Sequence, residues 1–217
     1  MRPIFVTGIG TGIGKTLVAA VLTEALKGDY WKPVQAGFTN GTDSLWVKEM
    51  VSHAGCRVYP ELYKLKLAAS PHIAAREEGV TINLEAIEVH LEMIRASKQT
   101  WADGPLIIEG AGGVLVPLNA KDKVIDLIVR LNARVILVSR NYLGSINHSL
   151  LTAQVCQARG LEISGWVFND QYLHYESEIV DWTGIPAIYS IPFSNGPDRS
   201  FVHQQADLIK PILLKML

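Results

Sequence analysis

The residues best suited to chemistry lie in a glycine-rich run, residues 8–16, between a short apolar segment and a helical pattern. Such a turn lets backbone amides curl around phosphate oxygens, while the following helix adds the partial positive charge of its N-terminus. Lys15 supplies a mobile cation for the terminal phosphates, and Thr16 supplies a hydroxyl ligand for Mg2+. The run therefore predicts a nucleotide site, and a glycine-rich turn with an incidental lysine is the weaker interpretation. The predicted nucleotide contacts of this loop are Gly12, Ile13, Gly14, Lys15 and Thr16.

The loop departs from the strict G-x-x-x-x-G-K-[ST] spacing of a phosphate-binding loop. Ile9 stands where the first glycine is expected, and the glycine-rich run begins one residue earlier, at Gly8. The loop is therefore one residue longer than the strict pattern, although it keeps the Gly-Lys-Thr ending at the start of the helical run.

Two acidic residues are candidates for holding the metal ion. Glu109 ends the apolar run 106–108 and precedes Gly110-Ala111-Gly112-Gly113, a second turn where the backbone can approach a charged ligand. Acidic ligands belong at the ends of parallel strands beside the loop, so this position favours a functional role over a surface acid. Asp43 opens a predicted helix, and the residues alone support an N-cap and a metal ligand equally.

Lys32 is a second candidate cation, in the segment 31–37 that the pattern predicts to be the second strand. Pro33 follows it and removes one hydrogen-bond donor from the strand. A lysine in a buried sheet is uncommon unless it points at a ligand, whereas an edge strand accepts a lysine readily. From the residues alone, both roles are equally supported.

The balance of charge argues against two classes of partner. Lys and Arg number 20 against 21 Asp and Glu, a net charge of −1, and no basic face or acidic tail is visible. We therefore expect neither nucleic acid nor a membrane as a partner, and no apolar stretch approaches the roughly 20 residues of a membrane helix. No secretion signal is visible. Cys56 and Cys156 each stand without a second cysteine nearby, which favours reduced thiols and predicts a soluble cytoplasmic protein.

Short apolar runs alternate with helical patterns along the chain, which is typical of an α/β fold. The run 135–138 is apolar throughout, as expected of a parallel strand covered on both faces. We predict a single domain over residues 1–217, a P-loop NTPase-like three-layer sandwich with a mainly parallel central sheet flanked by helices. Smaller expectations are an N-cap at Asn83, left-handed helix ends at Gly28 and Gly160, and an interruption of the last helix at Pro211.

Several segments, in one order along nearly the whole chain, resemble the dethiobiotin synthetases, ATP-dependent enzymes of biotin synthesis. The phosphate loop alone is shared with many nucleotide-binding proteins, but the combination of Lys-Pro-Val, Glu-Gly-Ala-Gly-Gly and Leu-Gly-x-Ile-Asn-His is specific. The matching segments are residues 5–16, Lys32-Pro33-Val34, Ser70-Pro71-His72, residues 109–113 with Pro117-Leu118, residues 143–154, Gly165-Trp166-Val167 with Asn169-Asp170, and Ile191-Pro192.

The resemblance implies a reaction on 7,8-diaminononanoate, with ATP and Mg2+ as cofactors and CO2 or bicarbonate as the carbon source. One amine and CO2 form a carbamate, ATP phosphorylates it, and the other amine closes a cyclic urea with loss of phosphate. By similarity, Thr16, Asp43 and Glu109 hold Mg2+, and Lys32 is the catalytic lysine. Lys15 joins it as the second catalytic cation, because an anionic carbamate attacks an anionic phosphate and the charges must be offset.

The resemblance also assigns the remaining contacts. Gly110, Ala111 and Gly112 would line the nucleotide, and Ala36 and Gly113 the diamine. Adenine would be read by Asn169 and Asp170, with Ile191, Pro192 and Phe193 alongside. The carboxylate of the substrate would lie at a helix N-terminus of a second subunit, which implies a homodimer with composite active sites. The residues of that segment are Leu143, Gly144, Ser145 and Asn147.

Two positions depart from the family. Many relatives have an acidic residue where Gly12 stands, and a hydroxyl-bearing residue where Ala36 stands, so backbone or Gln35 would have to replace those contacts. No role follows from the chemistry of His72.

Two other functions compete with this interpretation. One is a related amidotransferase or ligase, but such an enzyme normally carries a glutaminase part with a cysteine nucleophile. The other is a dimeric nucleotide switch of the partitioning-ATPase type, which uses an extra lysine at the start of the loop. This sequence has Gly8, Ile9 and Gly10 there.

Overall fold

A computed structural model describes residues 2–39, 41–97, 104–170 and 172–216. Strands and helices alternate as the sequence predicts. The strands are β1 (Ile4–Gly8), β2 (Asp29–Trp31), β3 (Val34–Ala36), β4 (Val58–Tyr59), β5 (Tyr63–Leu65), β6 (Leu106–Glu109), β7 (Arg134–Arg140), β8 (Ile163–Asn169) and β9 (Ala187–Ile191). The α-helices are α1 (Lys15–Ala25), α2 (Asp43–Met50), α3 (Pro71–Glu77), α4 (Leu84–Ala96), α5 (Val124–Arg130), α6 (Ser145–Ala158), α7 (Glu176–Thr183) and α8 (Arg199–Met216).

The central sheet has seven strands in the order β4-β2-β6-β1-β7-β8-β9, and each neighbouring pair is parallel. A second sheet of two parallel strands, β3 and β5, lies apart from it. Because the strands of the central sheet run in one direction, their carboxyl ends meet at one edge, where ligands bind in open α/β sheets.

Successive residues of β1 enter opposite sides of the sheet. Phe5 belongs to one core cluster with residues of α4, α5, α6 and α7, whereas Ile4 and Val6 belong to a second cluster with residues of α1 and α8. Each fully buried large apolar side chain contributes about 1.5–3 kcal/mol, so both helical layers are held firmly to the sheet. The predicted three-layer α/β sandwich is confirmed.

The segment 31–37 differs from the single strand that the sequence predicts. It contains two strands in different sheets, β2 ending at Trp31 and β3 beginning at Val34. Pro33 lacks a backbone N–H and cannot continue the ladder, so the chain leaves the central sheet at Lys32. Lys32 therefore lies just past the carboxyl end of β2, not within a strand.

Several local expectations about helix ends are confirmed. Asn83 accepts hydrogen bonds from the amides of Glu85 and Ala86 at the start of α4. Gly160 follows α6 with a φ of 65°.

Two of these expectations are wrong. Lys27, with a φ of 52°, takes the left-handed position predicted for Gly28; a Cβ on Gly28 would lie 2.4 Å from the Pro105 carbonyl oxygen. Pro211 lies inside an unbroken α8, because the buried Ile209 and Leu213 anchor the helix on either side of it.

The sequence left an N-cap and a metal ligand equally open for Asp43. The N-cap of α2 is Thr42, whose side chain accepts from the Leu45 amide.

Within the described ranges, no helix has the length and apolar character required to cross a membrane.

Candidate active site

A cleft of about 700 Å3 lies at the carboxyl edge of the central sheet and is lined by most of the residues predicted for phosphate and metal binding. Ile13 and Gly110, which are also predicted to contact the nucleotide, do not line it. It is walled by the phosphate loop, the turn after β6, the start of α2 and the start of α3. The lining residues are Thr11, Gly12, Gly14, Lys15, Thr16, Lys32, Gln35, Ala36, Asp43, Ala68, Ala69, Ser70, Pro71, Glu109, Ala111, Gly112 and Val116.

The phosphate loop is held in its turn by glycines that adopt conformations other residues avoid. Gly12 and Gly14 have φ angles of 73° and 88°. A Cβ on Gly12 would meet no heavy atom within 4 Å, whereas one on Gly14 would lie 2.5 Å from Asn169 Nδ2. Position 12 therefore favours glycine because of its left-handed backbone conformation. Position 14 favours glycine both for that conformation and for the close approach of Asn169. The positive φ of Gly12 disfavours an acidic side chain at this position.

Lys15 lies folded against its own loop. Its Nζ donates to the Gly10 carbonyl oxygen at 2.5 Å, and the residue is only 6% exposed. Burial lowers the pKa of Lys15 to about 8, since loss of hydration disfavours the ammonium; Glu109 opposes the shift and Lys32 adds to it. An anion brought into the cleft would favour the charged form, so Lys15 is suited to phosphate.

Glu109 is the centre of the polar network. One oxygen, Oε1, accepts from Thr16 Oγ1 at 2.9 Å and from Lys32 Nζ at 2.7 Å. The other oxygen, Oε2, accepts from the Tyr30 hydroxyl at 2.6 Å. Burial raises the pKa of Tyr30 well above its ordinary value, and the charge of Glu109 adds to the shift, so the phenol stays protonated and donates.

Lys32 bridges the two predicted acidic ligands. Its Nζ lies 2.6 Å from Asp43 Oδ2 and 2.7 Å from Glu109 Oε1, and the side chain is buried. Burial alone would lower the pKa of Lys32, but the two carboxylates outweigh it and raise the pKa above its ordinary value. Lys32 is therefore a fixed ammonium at neutral pH, available to stabilise negative charge and unsuited to act as a base.

The donor atoms in the cleft fit Mg2+ bound together with a nucleotide. Glu109, Asp43 and Thr16 offer the hard oxygen ligands that Mg2+ prefers, and Lys32 and the hydrogen bond from Thr16 to Glu109 link them in the cleft. The described part of the chain contains no group of three or more His, Cys, Asp or Glu placed to hold a metal by itself. Magnesium typically completes its shell with waters and substrate phosphates, so a site of two carboxylates and one hydroxyl suits a nucleotide-borne ion.

The residues predicted to contact adenine lie at the ends of β8 and β9, outside the lining of the cleft. Asn169 is joined to the phosphate loop, because its Nδ2 donates to the Ile13 carbonyl oxygen at 2.7 Å. Its buried Oδ1 has no hydrogen-bond partner among the described residues, which leaves an acceptor available for an exocyclic amine. Asp170 lies 3.2 Å from Arg140 in an ion pair. Ile191 is buried, Pro192 is half-buried, and Phe193 is 66% exposed.

The residues predicted to bind substrate fall into two groups. Ala36 lines the cleft, and Gly113 packs against the loop, where a Cβ would lie 3.2 Å from the Gly8 carbonyl oxygen. Residues 143–147 span the start of α6, which begins at Ser145, and do not line the cleft. Leu143 is 93% exposed, whereas Ser145 is buried with its hydroxyl 2.7 Å from that of Tyr175.

Sequence reasoning missed Tyr30. A signal for it existed, since Tyr30 lies two residues before Lys32 and residues two apart on an extended segment share a face. Gln35 was anticipated only as a substitute substrate contact. Its Nε2 donates to the Gly37 carbonyl oxygen at 2.8 Å, and its Oε1 accepts from the Asp43 amide at 3.3 Å, so its side chain ties β3 to the start of α2.

Replacing Gly14 with alanine tests whether the contact between loop and Asn169 shapes the nucleotide site. The methyl group would push Asn169 away from Ile13, so we expect ADP to bind roughly tenfold more weakly or worse in calorimetric titration. Gly160→Ala is the matched control, because Gly160 also has positive φ but a Cβ there meets nothing within 4 Å. Equal ADP affinity in the two variants would contradict this account of the loop.

A family model described as an AAA domain matches residues 2–196. Among curated proteins, the ATP-dependent dethiobiotin synthetase BioD of Cytophaga hutchinsonii is 52% identical over 169 residues, which cover 78% of this chain and 77% of that protein. The protein of the same name from Rhodopseudomonas palustris is 42% identical over 192 residues, covering 88% and 85%.

The solved structures that match share the fold at low sequence identity. A ParA family ATPase from Chlorobium tepidum superposes with a TM-score of 0.54 at 14% identity, covering 99% of this chain and 91% of that one. The MinC:MinD cell division complex of Aquifex aeolicus gives 0.58 at 13%, covering 99% and 95%. Similarity at this level speaks for the fold alone, whereas the curated relatives are alike over most of both chains. The chain belongs to the dethiobiotin synthetase family.

Proposed function

We propose that this chain is an ATP-dependent dethiobiotin synthetase, which closes a cyclic urea on 7,8-diaminononanoate with CO2 and releases ADP and phosphate. The observation that carries the proposal is the meeting of the phosphate loop, Lys32, Asp43 and Glu109 in one cleft. Relatives bearing that name, 42–52% identical over most of the chain, support it.

The chemistry requires two anions to react. An amine of the substrate adds to CO2 and loses a proton, which forms a carbamate. A carbamate oxygen then attacks the γ-phosphorus of ATP, and the bond to the β-phosphate oxygen breaks to release ADP. The second amine attacks the carbamoyl carbon and loses a proton as the second C–N bond forms. The C–O bond to the phosphoryl group breaks, phosphate leaves with that oxygen, and the ring closes.

The side chains of the cleft offset the charge at each step. Lys15 would exchange its hydrogen bond to the Gly10 carbonyl oxygen for the terminal phosphates, and Lys32 would face the attacking carbamate. Both cations would then stabilise the negative charge that develops between the reactants. Thr16, Asp43 and Glu109 would hold Mg2+, which would supply positive charge to offset that of the phosphate oxygens. The carboxylates of Asp43 and Glu109 raise the pKa of Lys32 and so favour its charged form before a metal enters the cleft.

A homodimer with shared active sites would place the substrate carboxylate at the start of α6 of the second subunit. In support, residues 143–147 stand outside the cleft of their own chain, Gly144 is the N-cap of α6, and Leu143 is 93% exposed. Backbone amides at a helix N-terminus suit a carboxylate. The single domain over residues 1–217 and the cytoplasmic location stay predictions.

A nucleotide switch is the alternative that the fold keeps open, because the structural neighbours are ParA and MinD ATPases. The loop start argues against it, since Gly8, Ile9 and Gly10 stand where such switches carry a lysine.

The proposed reaction is tested by measuring ADP release with and without 7,8-diaminononanoate and bicarbonate. We expect release to require both, because no phosphoryl acceptor exists until the carbamate forms. Strict dependence, with dethiobiotin detected by mass spectrometry, supports the synthetase. ADP release at the same rate without the diamine would instead favour the switch.

The role of Lys32 is tested by Lys32→Ala. We expect turnover to fall by roughly two to three orders of magnitude, the effect of losing one preorganised electrostatic group. Since the side chain lies between two carboxylates, ADP binding should be measured alongside turnover to establish that the cleft persists. Lys27→Ala is the control, because Lys27 also pairs with a buried carboxylate, Glu24, at 2.9 Å but outside the cleft. Near wild-type turnover in Lys32→Ala would rule out the assigned role.

The shared active site is tested by mixing two impaired variants. Lys32→Ala removes the cation of the cleft, and Leu143→Asp adds a negative charge where the substrate carboxylate would bind, at an exposed position that tolerates substitution. If each site uses both subunits, an equal mixture that exchanges subunits should recover about a quarter of wild-type activity, since half the dimers hold one intact site. Activity no higher than the average of the two variants would refute shared sites.

A further inference from the structure

The two oxygens of Glu109 have different surroundings. Oε1 lies on the side of Thr16 and Lys32, both of which line the cleft. Oε2 accepts a hydrogen bond of 2.6 Å from Tyr30, a residue that is 0% exposed and does not line the cleft. Glu109 itself is 1% exposed, so the carboxylate has one oxygen toward the ligand and one in the protein interior.

The hydrogen bond from Tyr30 fixes the orientation of the carboxylate. Tyr30 belongs to β2, and the register places Trp31 opposite Ile108, the residue before Glu109. The side chains of Tyr30 and Glu109 therefore extend from adjacent strands of a rigid sheet. Rotating the carboxylate so that both oxygens face the cleft would leave a buried phenol hydroxyl without an acceptor, which is costly.

We propose that Tyr30 is a positioning residue which restricts Glu109 to coordination by one oxygen, and that it thereby favours Mg2+ over Ca2+ in the cleft. The inference rests on the proposed function, which places Mg2+ at Glu109. Mg2+ is small and requires near-octahedral geometry with single-oxygen ligands. Ca2+ takes six to eight oxygens and readily binds a carboxylate through both. A carboxylate with one oxygen held back suits the smaller ion.

The experiment compares wild-type protein with Tyr30→Phe, which keeps the ring and removes only the hydroxyl. Each protein is saturated with ADP and titrated calorimetrically with Mg2+ and separately with Ca2+, with binding of the metal to free ADP included in the fit. We expect the dissociation constant for Mg2+ to rise roughly tenfold in Tyr30→Phe. We expect the constant for Ca2+ to change less than threefold, so that the preference for Mg2+ narrows.

Tyr59→Phe is the matched control. Tyr59 lies on the neighbouring strand β4, and its hydroxyl donates to Asp29 Oδ2 at 3.1 Å, outside the cleft. The control likewise removes a tyrosine hydroxyl that donates to a carboxylate. We expect it to lower the stability of the fold without changing the preference for Mg2+ over Ca2+. A second arm repeats Tyr30→Phe in a Glu109→Gln background, where the substitution should no longer alter metal preference because Tyr30 acts through Glu109.

The outcomes separate this inference from the function on which it rests. Metal binding to the wild-type ADP complex with an unchanged preference in Tyr30→Phe overturns the role of Tyr30 and leaves the function intact. An equal loss of Mg2+ and Ca2+ affinity also overturns it. Absence of metal binding in the wild type contradicts the proposed metal site itself. If Tyr30→Phe fails to fold, a crystal structure of the wild type with ADP and Mn2+ decides, since two-oxygen coordination by Glu109 would overturn the inference.

Discussion

The charge of Glu109 is the constraint on which the rest of the site depends. A carboxylate that is 1% exposed loses nearly all of its hydration, and an isolated buried charge of this kind is too costly for a folded protein to keep. Three side-chain donors, from Thr16, Tyr30 and Lys32, replace the lost water. Those donors come from the start of α1, from β2 and from the residue after β2. The carboxylate therefore ties together the elements that form the cleft.

The same constraint explains why the two lysines differ. Lys32 has two carboxylates within 2.7 Å, which raise its pKa. Lys15 instead donates to a carbonyl oxygen, and burial disfavours its ammonium form and lowers its pKa. The charged form of Lys15 is therefore the one stabilised most when a phosphate enters the cleft. Lys32 gains less from a phosphate, because Asp43 and Glu109 already offset its charge. Two cations of one residue type acquire different properties from their neighbours alone.

The sequence predicts the parts of this site that depend on local pattern. Glycines followed by Lys15 and Thr16, and an acid directly after an apolar run, mark the ends of parallel strands. The three-layer sandwich follows from the alternation of strands and helices. What the sequence does not settle depends on contacts between distant segments. The break at Pro33 puts Lys32 at a strand end, and Thr42 takes the N-cap, which leaves Asp43 free to pair with Lys32. The pairing of Tyr30 with Glu109 spans 79 residues of sequence.

The likeness to ParA and MinD ATPases illustrates how little of a function the fold determines. Those proteins share the sheet and helices with this chain at 13–14% identity. By contrast, Lys32, Asp43 and Glu109 lie at the ends of strands or helices. Proteins that share a fold can carry different residue types at such positions. In this chain, the raised pKa of Lys32 makes it unsuited to act as a base. The carboxylate oxygens of its partners, Asp43 and Glu109, are the kind best suited to a divalent cation. Any cation bound by Asp43 and Glu109 competes with Lys32 for those oxygens. Lys32 would then turn its charge toward the next available anion in the cleft, which for the proposed reaction is the carbamate.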